Sequence, residues 1–165
     1  MASQQSPVIE LRSVTRLYGT VIGVNDISLN FLPGAYGLIG PNGAGKTTLT
    51  GLLTGALRPS RGEVRVFGEN PVRSRTVQQR IGICPATEIL LPRTSAFAWV
   101  QQLLMVSGFS FRQSQERAVN ALCLVGMEEA MYRPIDSYSL GMRQRVKLAQ
   151  AMAHDPDLLI LDEPF

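Results

Sequence analysis

Apolar and polar positions change period repeatedly along this chain, and each change marks an expected element. Val8 to Leu11 opens an apolar segment that leads to Leu17, Tyr18 and Gly19. VNDISLNF, Val24 to Phe31, alternates well enough for a strand, and Pro33 with Gly34 turns the chain into the apolar run AYGLIG, which reads as a buried strand. The first two segments are expected to form an antiparallel layer. TTLTGLLTGAL reads as a helix, RPSRG (Arg58 to Gly62) as a turn and EVRVFG as a strand, while IGIC (Ile81 to Cys84) reads as a short strand ending at Pro85. From Ser95 to Gly126 the spacing becomes helical, through Phe97, Val100, Leu103 and Leu104 and then Ala118, Leu122 and Val125, with Ser107 to Gln113 separating two helices. VKLAQAMA is again periodic, and LLIL (Leu158 to Leu161) is an apolar run of the kind buried in a parallel sheet. The expected class is α/β, with an antiparallel β layer, a mainly parallel core sheet and a helical insert between strands.

Composition narrows this only slightly. A chain of 165 residues suits one domain, able to bury about 70% of its unfolded surface. Apolar residues at 45% and charged residues at 18% place it among globular rather than disordered chains. Net charge is +3, the pI is about 9.2, and six arginines fall between Arg58 and Arg80. That stretch holds a single aromatic, Phe67, and two glutamates, so a solvated face is favoured over nucleic-acid binding. Cys84 and Cys123, the only cysteines, are too few for a disulfide framework and are expected to be reduced and largely buried. No run of 18 apolar residues occurs, and MASQQSPVIEL has no signal-peptide core, so the chain is not expected to cross a membrane by itself.

The chemistry concentrates in GPNGAGKTT: Gly40, Pro41, Asn42, Gly43, Ala44, Gly45, Lys46, Thr47 and Thr48. This satisfies the phosphate-loop pattern G-x-x-x-x-G-K-[ST] between an expected strand and an expected helix. Gly43 and Gly45 let successive N–H groups turn toward a phosphate chain, Lys46 supplies charge to the β and γ phosphates, and the Thr47 hydroxyl is suited to Mg²⁺. Tyr18, ahead of the loop, reads first as a packing residue and second as a ring that stacks on adenine. Near the far end, SYSLGMRQR (Ser137 to Arg145) offers Ser139 as a helix N-cap, with Gly141 keeping the first N–H groups accessible. LLILDEP ends a strand in two carboxylates, Asp162 suited to Mg²⁺ and Glu163 suited to orienting an attacking water. Of the insert's aromatics, Trp99 is expected in helix core, while Phe109 and Phe111 divide between core and docking surface. His154, the sole histidine, is expected to be solvated at a helix end.

These three motifs, in this order, resemble the nucleotide-binding subunit of an ABC transporter over nearly the whole chain. SLGMRQR in place of the commoner LSGGQ, with the Cys84–Pro85 pair, is similar to the branch paired with ABC-2 type export permeases. The resemblance implies an ATPase with ATP and Mg²⁺ as ligands. Tyr18 would then stack on adenine, Ser139 and Gly141 would touch the γ-phosphate held by a partner subunit in a head-to-tail dimer, Thr47 and Asp162 would hold Mg²⁺, and Lys46 and Glu163 would be catalytic. Residues 1–94 and 134–165 would form the catalytic core and 95–133 the helical subdomain that meets an integral membrane permease. The location implied is the inner face of the plasma membrane, with no nucleic acid bound.

Departures from the family pattern carry expectations of their own. Ala86 stands where Gln is usual, with Glu88 a weak substitute; Leu140 replaces a signature glycine and Met142 its Gln. No switch histidine follows Glu163, so the chain reads as C-terminally truncated, with impaired turnover and an exposed edge at Leu158 to Leu161. Alternatives are a nucleotide-binding module with little turnover and a non-transport ABC ATPase acting on ribosomes. A DNA-repair relative is disfavoured, because Lys46 and Ser139 are only 139 − 46 = 93 positions apart, too close for a long coiled-coil insertion.

Overall fold

The structure is a computed structural model, and it describes residues 6–87, 90–91 and 93–162. The fold falls into two compact units, Met1–Gln78 and Gln79–Phe165. In the first, β1 (Ile9–Tyr18), β2 (Val21–Phe31) and β3 (Arg61–Val66) form an antiparallel sheet of order β2-β1-β3. The expected antiparallel layer is therefore present, with a third strand that sequence did not assign to it. Bulges interrupt the β1 register near Ser13, which sits at φ +47 with its N–H donating to Ser28 Oγ at 2.8 Å. One face is apolar: Leu11, Val14, Val24, Val64 and Val66 are buried, and helix α1 (Lys46–Leu53) adds Leu49, Leu52 and Leu53 at helical spacing.

One expected strand does not form. Ala35 to Gly40 runs without any ladder, and Tyr36, Leu38 and Ile39 are exposed, Ile39 to 96%. An apolar run becomes a buried strand only when neighbours supply its hydrogen bonds, and among the described residues none does.

A short helix α2 (Arg75–Gln79) spans the boundary between the units, and in the second unit β4 (Ile81–Cys84) pairs in parallel with β5 (Leu158–Leu161) from Ile81↔Leu158 to Cys84↔Leu161. Two helices lie between them in sequence, α3 (Ala96–Val106) and α4 (Phe111–Leu124), followed by α5 (Leu140–Met152). Ser110 caps α4 through a full capping box with Gln113, so this helix begins inside the segment that sequence reserved for the connection. Val100, Leu104, Ala118, Ala121, Leu122 and Val146 share one buried cluster. Trp99 packs partly buried against that cluster, and its Nε1–H donates to Gln150 Oε1 at 2.8 Å. Phe109 also packs there, with the Arg117 guanidinium 4.7 Å over its ring, whereas Phe111 is exposed.

Two expectations about side chains are corrected. Cys84 is buried but Cys123 is exposed, because the buried stripe of α4 runs Ser114, Ala118, Ala121, Leu122, and Cys123 lies about 100° beyond Leu122 around the helix. His154 is half-buried rather than solvated. Its Nε2 lies 3.2 Å from the Ile81 carbonyl, which can only accept, so Nε2 carries the proton. No helix among the described residues is long and apolar enough to cross a membrane.

Candidate functional site: a phosphate loop, a capped signature helix and an acidic strand end

The loop from Gly40 to Gly45 closes on itself before α1 begins. Ala44 N–H donates to Pro41 O at 3.2 Å, and Gly43 and Gly45 take φ +83 and +88. A Cβ on Gly45 would fall against the Gly23 carbonyl of β2, so this position needs glycine for both conformation and space. Gly45 is also the N-cap of α1, with no side chain capping it. The helix thus presents its first N–H groups without an internal acceptor, the arrangement that favours an anion. Lys46 folds its ammonium back over the loop, donating to Gly40 O at 2.8 Å and Pro41 O at 3.0 Å. That adds a full positive charge to the partial charge of the helix terminus. Thr47, one residue into the helix, is exposed. Pro41, Asn42 and Ala44 are exposed loop positions that supply backbone rather than side-chain chemistry.

Tyr18 reaches the same place from the end of β1. Its hydroxyl lies 3.4 Å from Thr48 Oγ1, and the ring lies against Gly23. The structure therefore brings Tyr18 to the phosphate loop. Arg16, which sequence did not single out, sits on the ring at 4.8 Å from its centroid. The signal was there, since residues two apart on a strand share a face.

In the second unit the signature residues begin α5. Ser139 Oγ accepts from Met142 N–H at 3.3 Å, the expected cap, and Leu140 and Gly141 are exposed. A Cβ at Gly141 would meet nothing within 4 Å. Any need for glycine there is set by what approaches the helix start, not by the helix itself. Asp162 N–H donates to Cys84 O at 2.9 Å, extending the β4–β5 pairing by one residue and placing Asp162 at the carboxyl ends of both strands. At the same end, Lys147 of α5 is only 2% exposed and donates from Nζ to Ala86 O at 3.2 Å. A helix-period reading missed Lys147, because its position between Val146 and Ala149 looks like an ordinary boundary of the apolar stripe. Burial pushes the Cys84 thiol above its ordinary value, and the Lys147 charge works against that. Glu88 and Glu163 lie outside the described residues.

Oxygen donors at Thr47 and Asp162 are of the type Mg²⁺ selects. Among the described residues no group of three His, Cys, Asp or Glu could hold a metal unaided.

Comparison with known proteins bears on all of these motifs together. The family described as "ABC transporter" matches residues 24–165. A Nod factor export ATP-binding protein I from Cupriavidus metallidurans is 36% identical over 159 residues, covering 95% of this chain and 52% of its own length. The bacitracin transport ATP-binding protein BcrA of Bacillus licheniformis is 33% identical, with 96% and 52% covered. The chain thus spans about half the length of these curated relatives. Among solved structures, cbiO1 from Clostridium perfringens, part of the ABC transporter complex cbiONQ, superposes with a TM-score of 0.82 at 26% identity, over 96% of this chain and 66% of that one. A dimeric ATP-binding cassette bound to ADP and Pi gives a TM-score of 0.84 at 23% identity, over 94% and 74%, and shares the fold. With the cassette fold, a glycine-cradled lysine at the head of α1 and a family match across residues 24–165, this chain belongs to the ABC transporter family of ATP-binding proteins.

Proposed function

We propose that the chain is the ATP-binding part of an ABC transporter subunit that binds and hydrolyses MgATP to drive a separate membrane permease, in the direction of export. The observation that carries this reading is the phosphate loop, in which Gly43 and Gly45 hold the backbone turned and Lys46 lies over it at the uncapped start of α1. Export is supported by relatives named for Nod factor export and by the SLGMRQR wording of the signature. In this reading Tyr18 stacks on adenine and Thr47 and Asp162 ligate Mg²⁺. Ser139 and Gly141 meet the γ-phosphate of a second subunit, and Glu163 polarises the attacking water. Residues 95–133 act as the permease-facing helical subdomain, which is supported by the exposed Val106, Phe111 and Leu124. The protein would sit at the inner face of the plasma membrane through that permease.

Ala86 favours a second reading, a binding module with little turnover. Its methyl group can neither ligate Mg²⁺ nor hold water, and its carbonyl is engaged by Lys147. Equilibrium ATP binding combined with phosphate release separates the two. Lys46→Ala should weaken ATP binding by about ten- to a hundred-fold, the value of a charge-assisted contact. Glu163→Gln should abolish phosphate release while retaining ATP. Phosphate release untouched by Glu163→Gln removes that residue as the base, and ATP binding without any release by the unaltered chain supports the binding module.

A further inference from the structure

We propose that Arg16 is a positioning residue for base recognition: it closes one face of the Tyr18 ring, so that the base of a purine nucleotide stacks on the opposite face. This rests on the nucleotide-binding reading above and concerns a residue to which that reading gives no part.

Three contacts fix the ring. The guanidinium of Arg16 lies 4.8 Å from the ring centroid, the ring edge rests on Gly23, and the hydroxyl meets Thr48 Oγ1 at 3.4 Å. A Cβ at Gly23 would lie 2.7 Å from ring carbon Cε2 and 3.0 Å from Thr48, so the bare backbone of β2 is what admits the ring beside the phosphate loop. Arg16 is itself anchored, Nη1 donating to Arg58 O at 3.1 Å. Its Nε is buried with no hydrogen-bond partner among the described residues. The guanidinium carbon over the aromatic face is the arrangement of a cation–π contact, in which the negative face of the ring attracts the cation. Tyr18 remains 43% exposed. With one face, one edge and the hydroxyl engaged, the remaining face is the stacking surface, on a ring tied to the first turn of α1 through Thr48. Holding the ring in one orientation before a nucleotide arrives lowers the ordering cost of binding. Electron withdrawal by the cation also suits the ring to an electron-rich purine. Arginine does this better than lysine, because the planar guanidinium can lie flat on a ring.

The test compares ATP with inorganic tripolyphosphate, which engages the phosphate loop but has no base, by titration calorimetry on the full chain. Arg16→Met keeps the aliphatic stem and loses the cation; it should weaken ATP binding by roughly two- to five-fold, the worth of an exposed cation–π contact. Tripolyphosphate binding should be unchanged, and Arg16→Lys should restore part of the loss. In a Tyr18→Ala background, Arg16→Met should have no further effect on ATP, although the Arg58 contact is still lost. An equal loss for tripolyphosphate, or an Arg16→Met effect that persists without Tyr18, overturns the inference as a mere change in folding or charge. A chain that binds both ligands but is indifferent to Arg16→Met overturns this inference alone. One that binds neither overturns the nucleotide reading and this inference with it.

Discussion

Gly45 shows how one position can serve the fold and the site together. Its φ of +88 and the proximity of the Gly23 carbonyl leave no place for a side chain. Gly45→Ala should therefore destabilise the first unit by about 1–2 kcal/mol for the left-handed backbone alone, with the clash in addition; a shift in the urea midpoint measures it, and an unchanged midpoint refutes the close approach. The thiols make a second contrast. Cys123 is exposed and Cys84 buried, so a thiol reagent should modify Cys123 at once and Cys84 only on unfolding. Burial raises the folded-state value of Cys84 above its ordinary 9.0, so the native state prefers the neutral thiol. That contribution to stability is complete below pH 9.0 and is lost as pH rises through the folded value. Tyr138 acts in the same direction, its phenol raised from 10.0 by burial while its hydroxyl donates to Ala130 O at 2.7 Å. Replacing Cys84 by Ser should flatten the alkaline limb of a stability profile, and an unaltered limb would count against the buried thiol. The turned loop was readable at this scale because Gly43 and Gly45 set it through local backbone geometry. Arg16 was not, since its role depends on which face of the Tyr18 ring it covers.

At the scale of elements, local rules carried most of the structure. α3, α4 and α5 each begin at a serine whose hydroxyl accepts an N–H from the first turn, at Ser95, Ser110 and Ser139. For α5, the cap and the signature serine are the same residue. Ser139→Ala should thus cost about 1 kcal/mol of stability in thermal or urea unfolding; a variant as stable as the parent would leave Ser139 free for its proposed contact alone. The helical insert was legible because its apolar spacing is 3.6 rather than 2. Ala35 to Gly40 was misread for the converse reason: an apolar run reports a preference for burial, and only partner strands turn that preference into a ladder. Lys147 escaped notice because helical spacing cannot tell which boundary positions are roofed over by a neighbouring strand end.

For the molecule as a whole, the apolar surface left uncovered is the chief physical fact. Tyr36, Leu38 and Ile39 are exposed before the phosphate loop, and Leu159 and Leu161 on β5, whose outer edge has no partner among the described residues. Such surfaces should bind a hydrophobic dye and promote concentration-dependent association, and Ile39→Lys should reduce both by light scattering and dye fluorescence. No response to that substitution would mean that Ile39 is covered in solution. Sequence by itself determined the glycine-rich loop, the Ser139 cap, the helical apolar stripes and the family, because each is written in residues close together along the chain or in an ordered set of motifs. Tertiary structure alone decided that Tyr18 stands beside Thr48, that Arg16 lies on its ring, that Lys147 is buried under Ala86 and that Ala35 to Gly40 stays unpaired. Those outcomes turn on which distant segments meet, and the period of an apolar pattern carries a face but not the identity of its neighbour.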